Sequence, residues 1–198
     1  MIRKVIGSMI DPTSPPLCAA PPAFRCRSGP GLRIGSVTDI AVFLLKVGAR
    51  VDVREIEARC GLALPRPGQG AFEDGRQWLN LAPREWLVIT ASREGDAFAR
   101  RIRTGLADRV AVLTDLSQGL VVVDVAGPNA EGVIAQGIGI DLSERFAPGS
   151  ITQTRLGAIS ITLVRTGQDQ FRIAARRPYS AYLAMWLDTT AHNATSLS

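Results

Sequence analysis

Histidine is almost absent from this sequence of 198 residues, because the single one, His192, lies close to the C-terminus. A Ser-His-Asp triad or a Cys-His pair needs an imidazole beside its nucleophile. We expect His192 to belong to a polar tail, away from any folded site. The sequence therefore argues against nucleophilic catalysis of these two kinds.

Cysteine is also scarce and unpatterned. Cys18, Cys26 and Cys60 are odd in number and have no CxxC spacing, so they predict neither a disulfide framework nor a zinc site. Cys60 falls on the apolar side of a predicted helix, where a buried and inert thiol is expected. The three unpaired thiols and the lack of a secretory signal pattern predict a cytoplasmic protein.

Long hydrophobic runs and phosphate-binding loops are missing as well. The most apolar windows, 40–45 and 120–126, are far shorter than the roughly 18 residues of a membrane helix, which predicts a soluble protein without a membrane partner. The phrase GIGIDL resembles a phosphate loop only superficially. Neither GxxxxGK[ST] nor GxGxxG occurs, so we expect no nucleotide cofactor in this chain.

Lysine occurs only at Lys4 and Lys46, so arginine carries the net charge of +5. Residues 1–36 hold five basic side chains against one acid, which leaves a net charge of only +1 for the remaining 162 residues. Arginine favours bidentate pairs and protein-interface contacts over non-specific contacts along a nucleic-acid phosphate backbone. This distribution argues against a nucleic-acid partner.

Proline divides the chain into regions. Six of the twelve prolines lie in residues 1–36, in the phrases PTSPP, APPA and SGPG. Such a segment has few periodic apolar residues, so we expect a disordered N-terminal extension. The prediction is therefore an extension over 1–36, one folded domain over 37–190 and a flexible tail over 191–198.

The strongest pattern of the folded part is DLSQGLVVVDVAGPNA, residues 115–130. The β-branched run 120–126 predicts a strand buried on both faces, and Gly127 followed by Pro128 predicts that a helix begins at that proline. Asp124 interrupts the apolar run. A desolvated carboxylate could serve as a base, but we expect Asp124 to meet solvent, a backbone N–H or an arginine.

Hydrophobic periodicity supplies the other elements. We expect strands at 40–47, 76–81, 85–91, 110–116, 151–157, 159–165 and 170–176, and helices at 52–60, at 94–106 and from Pro178 onward. In the last helix an aromatic face containing Tyr179, Tyr182 and Trp186 should pack into the core. The order β-α-β-β-α-β followed by β-α-β-β-α predicts an α+β fold of two ferredoxin-like split βαβ halves packed together.

Several side chains are candidates for contact with a partner chain. Trp78 and Trp86 lie on neighbouring predicted strands, where tryptophans serve as core residues or as interface anchors. Arginine is enriched at interfaces. The candidate partner contacts are Trp78, Arg84, Trp86, Arg172 and Arg176.

Four phrases, in this order and spacing, resemble the gamma subunit of bacterial heterotetrameric sarcosine oxidase over about residues 37–188. They are LAPREWLVI, DLSQGLVVVDVAGPNAEGVI, APGSITQTRLGAISITLVRTG and FRIAARRPYSAYLAMWL. The first is similar to a GPDEWLL-type phrase of that family, with Ala82 and Arg84 in place of Gly and Asp. The last resembles an aromatic-rich closing helix that follows a strand.

The resemblance implies a fold related to the folate-binding domains of the glycine-cleavage aminomethyltransferase. It also implies a complex that oxidatively demethylates sarcosine to glycine with flavins, O2 and tetrahydrofolate. FAD, FMN, NAD, tetrahydrofolate and zinc would then belong to the alpha, beta and delta subunits. The gamma chain itself would be accessory and non-catalytic, without catalytic, cofactor-binding or metal-binding residues, and its main contact would be alpha.

Other functions remain open at this point. The chain could be the equivalent subunit of a different secondary-amine dehydrogenase, such as one acting on N-methylglutamate. It could also be a free-standing folate-binding protein or enzyme of the aminomethyltransferase type, or a general interaction module. The folate-binding alternative needs acidic residues over the pterin and the one-carbon unit, and Asp115 and Asp124 are its candidates.

Overall fold

The computed structural model describes residues 27–29, 31–73, 75–143 and 145–195. They form eleven strands and four α-helices, with a 3-10 turn before the last helix. The elements are β1 (Arg27–Gly29), β2 (Leu32–Ser36), β3 (Ile40–Val47), α1 (Val53–Cys60), β4 (Gly70–Glu73), β5 (Arg76–Ala82), β6 (Glu85–Ala91), α2 (Ser92–Gly105), β7 (Ala111–Asp115), β8 (Leu120–Ala126), α3 (Ala130–Ala135), β9 (Ile151–Leu156), β10 (Ile159–Gly167), β11 (Gln170–Arg176) and α4 (Ser180–Thr195).

Two antiparallel sheets carry the fold. Sheet A has the order β1-β2-β8-β11-β10-β9, and sheet B has the order β4-β5-β6-β3-β7. One face of sheet A packs against α3 and α4, and one face of sheet B packs against α1 and α2, which gives two separate apolar cores. A third core lies between the sheets, where Val42 and Leu79 of sheet B share a cluster with Val122 and Ala174 of sheet A. The described residues therefore form four layers, with the helices outside.

The two sheets share one connectivity, which confirms the predicted α+β fold of two ferredoxin-like halves. In sheet B, β3 lies between β6 and β7, and α1 leads from β3 to the strands beyond β6. In sheet A, β8 lies between β11 and β2, and α3 leads from β8 to the strands beyond β11. The place that β7 fills in sheet B is thus filled in sheet A by β2, a strand from the N-terminal end of the chain.

This position of β2 corrects the boundary predicted at residue 36. Leu32 and Ile34 are buried in the core of sheet A, and β2 pairs with β8 from Arg33 opposite Ala126 to Ser36 opposite Val123. A five-residue strand is too short for its alternating pattern to stand out among prolines and glycines. The ordered fold therefore begins before Val37. The rest of the predicted extension, residues 1–26, lies outside the described residues.

Two helix ends also differ from prediction, whereas α1 agrees with it. The Asp52 side chain accepts from the Arg54 N–H at 2.9 Å, and Gly61 in the left-handed region ends α1. Helix α3, however, begins at Ala130 rather than at Pro128. Helix α4 continues to Thr195, so the predicted flexible tail over 191–198 is helical over most of its length.

The closing helix packs largely as expected. Leu183 and Leu187 are fully buried, and the Tyr182 hydroxyl accepts from the Ala158 N–H at 3.0 Å. Tyr179 is the exception, since it lies in the 3-10 turn and is exposed. Cys60 is buried as predicted, and desolvation raises the pKa of its thiol. Among the described residues, no helix is both long and apolar enough to cross a membrane.

Candidate functional site: a cleft between the two sheets

A cleft of about 720 Å³ opens where β2, β8 and β11 of sheet A face β4 and β5 of sheet B. Its polar centre is an ion pair between Asp124 of β8 and Arg172 of β11. The Arg172 Nε and Nη2 donate to the two carboxylate oxygens of Asp124 at 2.7 and 2.8 Å. This bidentate geometry is the strongest form of an arginine–carboxylate contact.

The same guanidinium connects the two sheets. The Arg172 Nη1 donates to the Gln77 Oε1 at 2.9 Å, and Gln77 lies on β5 of sheet B. Gln77 is buried. Because a buried amide oxygen without a donor would lose its hydrogen bond to water, this contact offsets the cost of placing Gln77 between the sheets.

Strand register explains why these side chains meet. Asp124 and Arg172 are directly opposite each other in the antiparallel pair of β8 and β11, so their Cβ atoms point to the same face. That face is the one that meets sheet B, since Val122 and Ala174, two residues away, belong to the core between the sheets. Of the three surroundings expected for Asp124, namely solvent, a backbone N–H or an arginine, the structure shows the arginine. With both oxygens engaged by one guanidinium, Asp124 is arranged as a structural anion.

We predict that this bidentate pair stabilises the fold more than a single-contact pair between directly opposite residues at the surface. Removing Asp124 and Arg172 singly and together by alanine substitution should give a coupling free energy of about 1–2 kcal/mol, reduced by the partial exposure of Asp124. Lys46 and Glu85 are the matched control, because they are also opposite each other on neighbouring strands and pair at 2.9 Å at the surface. Their coupling should be about 0.2–1 kcal/mol. Urea unfolding measures both cycles, and equal values would contradict the prediction.

The structure does not bring the two candidate acids together. Asp124 lines the cleft, whereas Asp115 ends β7 at the far edge of sheet B and accepts hydrogen bonds from the Ser117 N–H at 2.8 Å and the Ser117 hydroxyl at 2.6 Å. A folate site of the kind considered above would need both acids over one ligand. Within the described residues, no group of three or more His, Cys, Asp and Glu side chains is placed to hold a metal ion.

Two of the five candidate partner contacts are core residues. Trp78 and Trp86 are buried between sheet B and its helices, and the Trp86 Nε1 donates to the Pro65 carbonyl at 3.1 Å. The interface alternative for these two tryptophans is therefore not supported, because neither side chain offers surface to another chain. The sequence placed them on neighbouring strands but could not tell whether the helices cover them.

The three candidate arginines have different surroundings. Arg172 forms the ion pair with Asp124 and the hydrogen bond to Gln77 described above. Arg84 takes a left-handed backbone conformation in the β5–β6 turn, with φ of 66°, and its Nη1 donates to the Gly48 and Val51 carbonyls at 2.9 and 2.5 Å. Arg176 is exposed at the end of β11. For these three residues, contact with a partner stays a prediction.

Arg165 is an important residue that the sequence did not reveal. It is buried, and its Nη1 donates to the Leu142 and Phe146 carbonyls at 2.7 and 3.1 Å. Its guanidinium also pairs with Glu131 of α3 at 3.0 Å. These contacts fasten the long connection between α3 and β9 to sheet A. The sequence did contain a signal for Arg165. It follows the alternating apolar run of β10, and an arginine on a buried face needs hydrogen-bond partners inside the protein.

Comparison with known proteins gives a consistent result. Residues 55–193, more than half of the chain, match the model of the sarcosine oxidase, gamma subunit family. This chain belongs to that family. The match confirms the resemblance seen in the sequence phrases.

Curated relatives carry the same family description. The chain is 30% identical over 115 residues to the sarcosine oxidase subunit gamma of Corynebacterium sp. (strain P-1), covering 58% of this chain and 56% of that one. It is 30% identical over 135 residues to the corresponding subunit of Corynebacterium sp. (strain U-96), covering 67% and 65%. The chain thus spans between about half and two thirds of the length of these relatives.

Solved structures show the fold. A chain of the heterotetrameric sarcosine oxidase from Corynebacterium sp. U-96, solved in complex with pyrrole 2-carboxylate, superposes with a TM-score of 0.74 at 24% identity, covering 81% of this chain and 84% of that chain. The glycine cleavage system aminomethyltransferase T from Bartonella henselae superposes with a TM-score of 0.62 at 16% identity, covering 79% and 45%. The expected similarity of this fold to that of the aminomethyltransferase is confirmed.

Proposed function

We propose that this chain is the accessory, cofactor-free gamma subunit of a heterotetrameric sarcosine oxidase. The family match over residues 55–193 carries the proposal. The complex would oxidatively demethylate sarcosine to glycine, pass electrons through flavins to O2 and transfer the one-carbon unit to tetrahydrofolate. It would work in the cytoplasm.

The division of labour within the complex is part of the proposal. FAD, FMN, NAD, tetrahydrofolate and zinc would be held by the alpha, beta and delta subunits, and the gamma chain would bury part of its surface against alpha. The cleft supports an accessory role, because its carboxylate is already held by Arg172 through both oxygens. Asp115 and Asp124 lie on different sheets and do not face one ligand together, which supports the same role.

Co-purification tests this function. The tagged chain is expressed alone and together with the genes that neighbour it on the chromosome. We expect the chain alone to be colourless and its intrinsic tryptophan fluorescence to be indifferent to added tetrahydrofolate. With its neighbours it should co-elute with a yellow flavoprotein that oxidises sarcosine.

Each alternative gives a different outcome in the same experiment. Tight folate binding by the isolated chain, abolished by Asp124→Asn, would favour a free-standing folate-binding protein. A monomeric chain that retains none of the neighbouring gene products would contradict the accessory role. A co-eluting flavoprotein that oxidises N-methylglutamate but not sarcosine would show that the chain is the equivalent subunit of an N-methylglutamate dehydrogenase.

A further inference from the structure

The face of sheet A that meets sheet B is left open near the turn between β9 and β10. A basin of about 830 Å³ lies there, and its lining residues come from β8 to β11, the connection before β9 and the 3-10 turn. Sheet B reaches the margin of this region, where the Gln153 Nε2 donates to the Leu81 carbonyl at 3.0 Å, but it contributes no lining residue. The basin is therefore a surface that no described segment covers.

Strand register brings two arginines together on the floor of this basin. Arg155 of β9 is directly opposite Ser160 of β10, and Thr162, two residues further along β10, is directly opposite Ala174 of β11. Arg176 follows Ala174 by two residues, so its side chain points to the same face. Arg155, Ser160 and Arg176 therefore lie side by side on three neighbouring strands. We call these three residues and Thr162 the arginine platform.

The positive charge of the arginine platform is not balanced by an acid. The Arg155 Nη2 donates to the Ala158 carbonyl at 3.2 Å, and neither Arg155 nor Arg176 forms an ion pair with a described residue. None of the residues that line the basin is acidic. Because like charges on one face of a sheet repel each other, two arginines without a counter-charge favour an anionic partner.

A third arginine adds to this charge. The Arg177 side chain donates to the carbonyls of Ser117, Gln118 and Leu120 at 3.1, 2.6 and 3.3 Å, and Leu120 lines the basin. These contacts hold Arg177 in place without neutralising it, because a backbone carbonyl carries no net charge. A fixed cation at this position strengthens the attraction of the surface for an anion.

An exposed aromatic side chain stands at the edge of the basin. Tyr179 lines the basin, is 46% exposed and belongs to the 3-10 turn that directly follows Arg176. Tyr182 and Trp186, the other aromatic residues of the closing segment, pack against the core of sheet A. Tyrosine and arginine are enriched among the residues that contribute most to protein interfaces. Tyr179 beside Arg176 therefore fits a contact with another protein chain.

A protein surface suits the arginine platform better than a free small anion does. Arg155, Ser160 and Arg176 are all exposed, so a small ion bound by them would stay largely in water. Sites for small molecules typically bury about 70–90% of the ligand surface. A partner surface would cover the arginines and exclude water, which strengthens a pair between a carboxylate and a guanidinium.

The charge of this chain argues against two other protein occupants. Residues 1–26 hold three basic side chains against one acid, a net charge of +2, and they enter the fold at β1, the edge of sheet A opposite β9. A second copy carries a net charge of +5, and a symmetric dimer through this surface would place each arginine platform against its own counterpart. Both occupants would therefore meet electrostatic repulsion.

We propose that an acidic surface segment of a larger oxidase subunit docks on the arginine platform. Asp or Glu carboxylates of that segment pair with Arg155 and Arg176. The Ser160 and Thr162 hydroxyls donate to the remaining lone pairs of these carboxylates, and Tyr179 is covered at the edge. This inference rests on the proposed function, because the complex supplies the larger subunit.

Chemical modification of arginine tests the docking directly. Phenylglyoxal is applied to the wild-type chain alone and to the complex obtained by co-expression with the neighbouring genes, and mass spectrometry measures the modification of each arginine. Arg155 and Arg176 should react at least about fivefold more slowly in the complex, because the partner excludes solvent from them. Arg100 and Arg103 on α2 are control positions, since both are exposed and neither has an ion pair among the described residues. Their reaction rates should change by less than about twofold.

Charge reversal tests the same contacts through binding. Arg155→Glu combined with Arg176→Glu should weaken retention of the larger subunit by about tenfold or more, because it sets like charges against each other across the interface. Arg100→Glu combined with Arg103→Glu is the matched control, since it changes the net charge by the same amount at a distant helix. It should leave retention within about twofold of the wild type. Circular dichroism and urea unfolding check that both variants are folded.

The outcomes separate this inference from the proposed function. A complex that forms while Arg155 and Arg176 stay fully reactive overturns the docking surface and leaves the proposed function standing. Equal loss of retention in the two charge-reversed variants also overturns it, because total charge would then be the cause. Protection in a dimer of the isolated chain, or in a monomer until residues 1–26 are deleted, overturns the choice of occupant. Protection by inorganic phosphate but not by the larger subunit assigns the site to a small anion instead. Failure to form any complex overturns both proposals.

Discussion

Deleting residues 1–36 should lower the free energy of unfolding by about 3–6 kcal/mol, because Leu32 and Ile34 each contribute about 1.5–3 kcal/mol when buried. The deletion also exposes one side of β8, the strand that β2 covers from Arg33 to Ser36. Deleting only residues 1–26 leaves β1 and β2 in place and should cost much less. Urea unfolding of the two truncated chains measures the difference.

A substitution within β2 keeps this prediction testable if the shorter chain does not fold. Ile34→Ala removes a buried side chain and should cost about 2–5 kcal/mol. Arg33→Ala is its control, because Arg33 is the exposed neighbour on the same strand, and it should stay within about 0.5 kcal/mol. Equal stabilities of the two variants would mean that β2 contributes little to the fold, as the proline-rich sequence had suggested.

Arg165→Met should lower the free energy of unfolding by about 3–5 kcal/mol, since it removes the donor of the buried Leu142 and Phe146 carbonyls and the ion-pair partner of Glu131. The Arg165 guanidinium donates to the carbonyls of Leu142, Phe146 and Gln168 and lies over the Phe171 ring at 5.2 Å. Methionine fills part of the volume but satisfies none of these oxygens. Urea unfolding, with hydrogen exchange over residues 138–149 as a local measurement, tests the prediction.

Two further variants identify the cause of this loss. Arg155→Met removes an exposed arginine from the neighbouring strand β9 and should change stability by less than about 0.5 kcal/mol. Arg165→Lys should recover only part of the loss, because an ammonium group cannot span the carbonyls that the planar guanidinium reaches. A lysine variant as stable as the wild type would contradict a role for this geometry.

Local sequence patterns predicted many of the elements correctly, for a physical reason. Strand β3 and helix α1 have the predicted positions, since alternation, the Asp52 cap and the Gly61 stop act over a few neighbouring residues. The start of α3 differed, because Pro128 is used in the turn that precedes the helix. β4 was not predicted, since four residues carry too little pattern to be recognised.

The candidate site was less predictable than the fold. Arg172 and Asp124 were both singled out, but their pairing depends on the register of β8 against β11, and the contact with Gln77 depends on how the two sheets face each other. Residues 48 or more apart along the chain meet here. No local pattern reports such a meeting.

The sequence by itself determined the apolar and polar faces of most strands and helices, and with them the α+β class and the family. Those properties follow from side-chain periodicity and from short sequence motifs, and both depend only on residues that are close together in the sequence. Only the tertiary structure decided that Trp78 and Trp86 are internal, that Arg165 fastens a loop and that β2 completes the second half. Each of these depends on which distant segment covers a given face, because burial is a property of the assembled layers and not of the local chain.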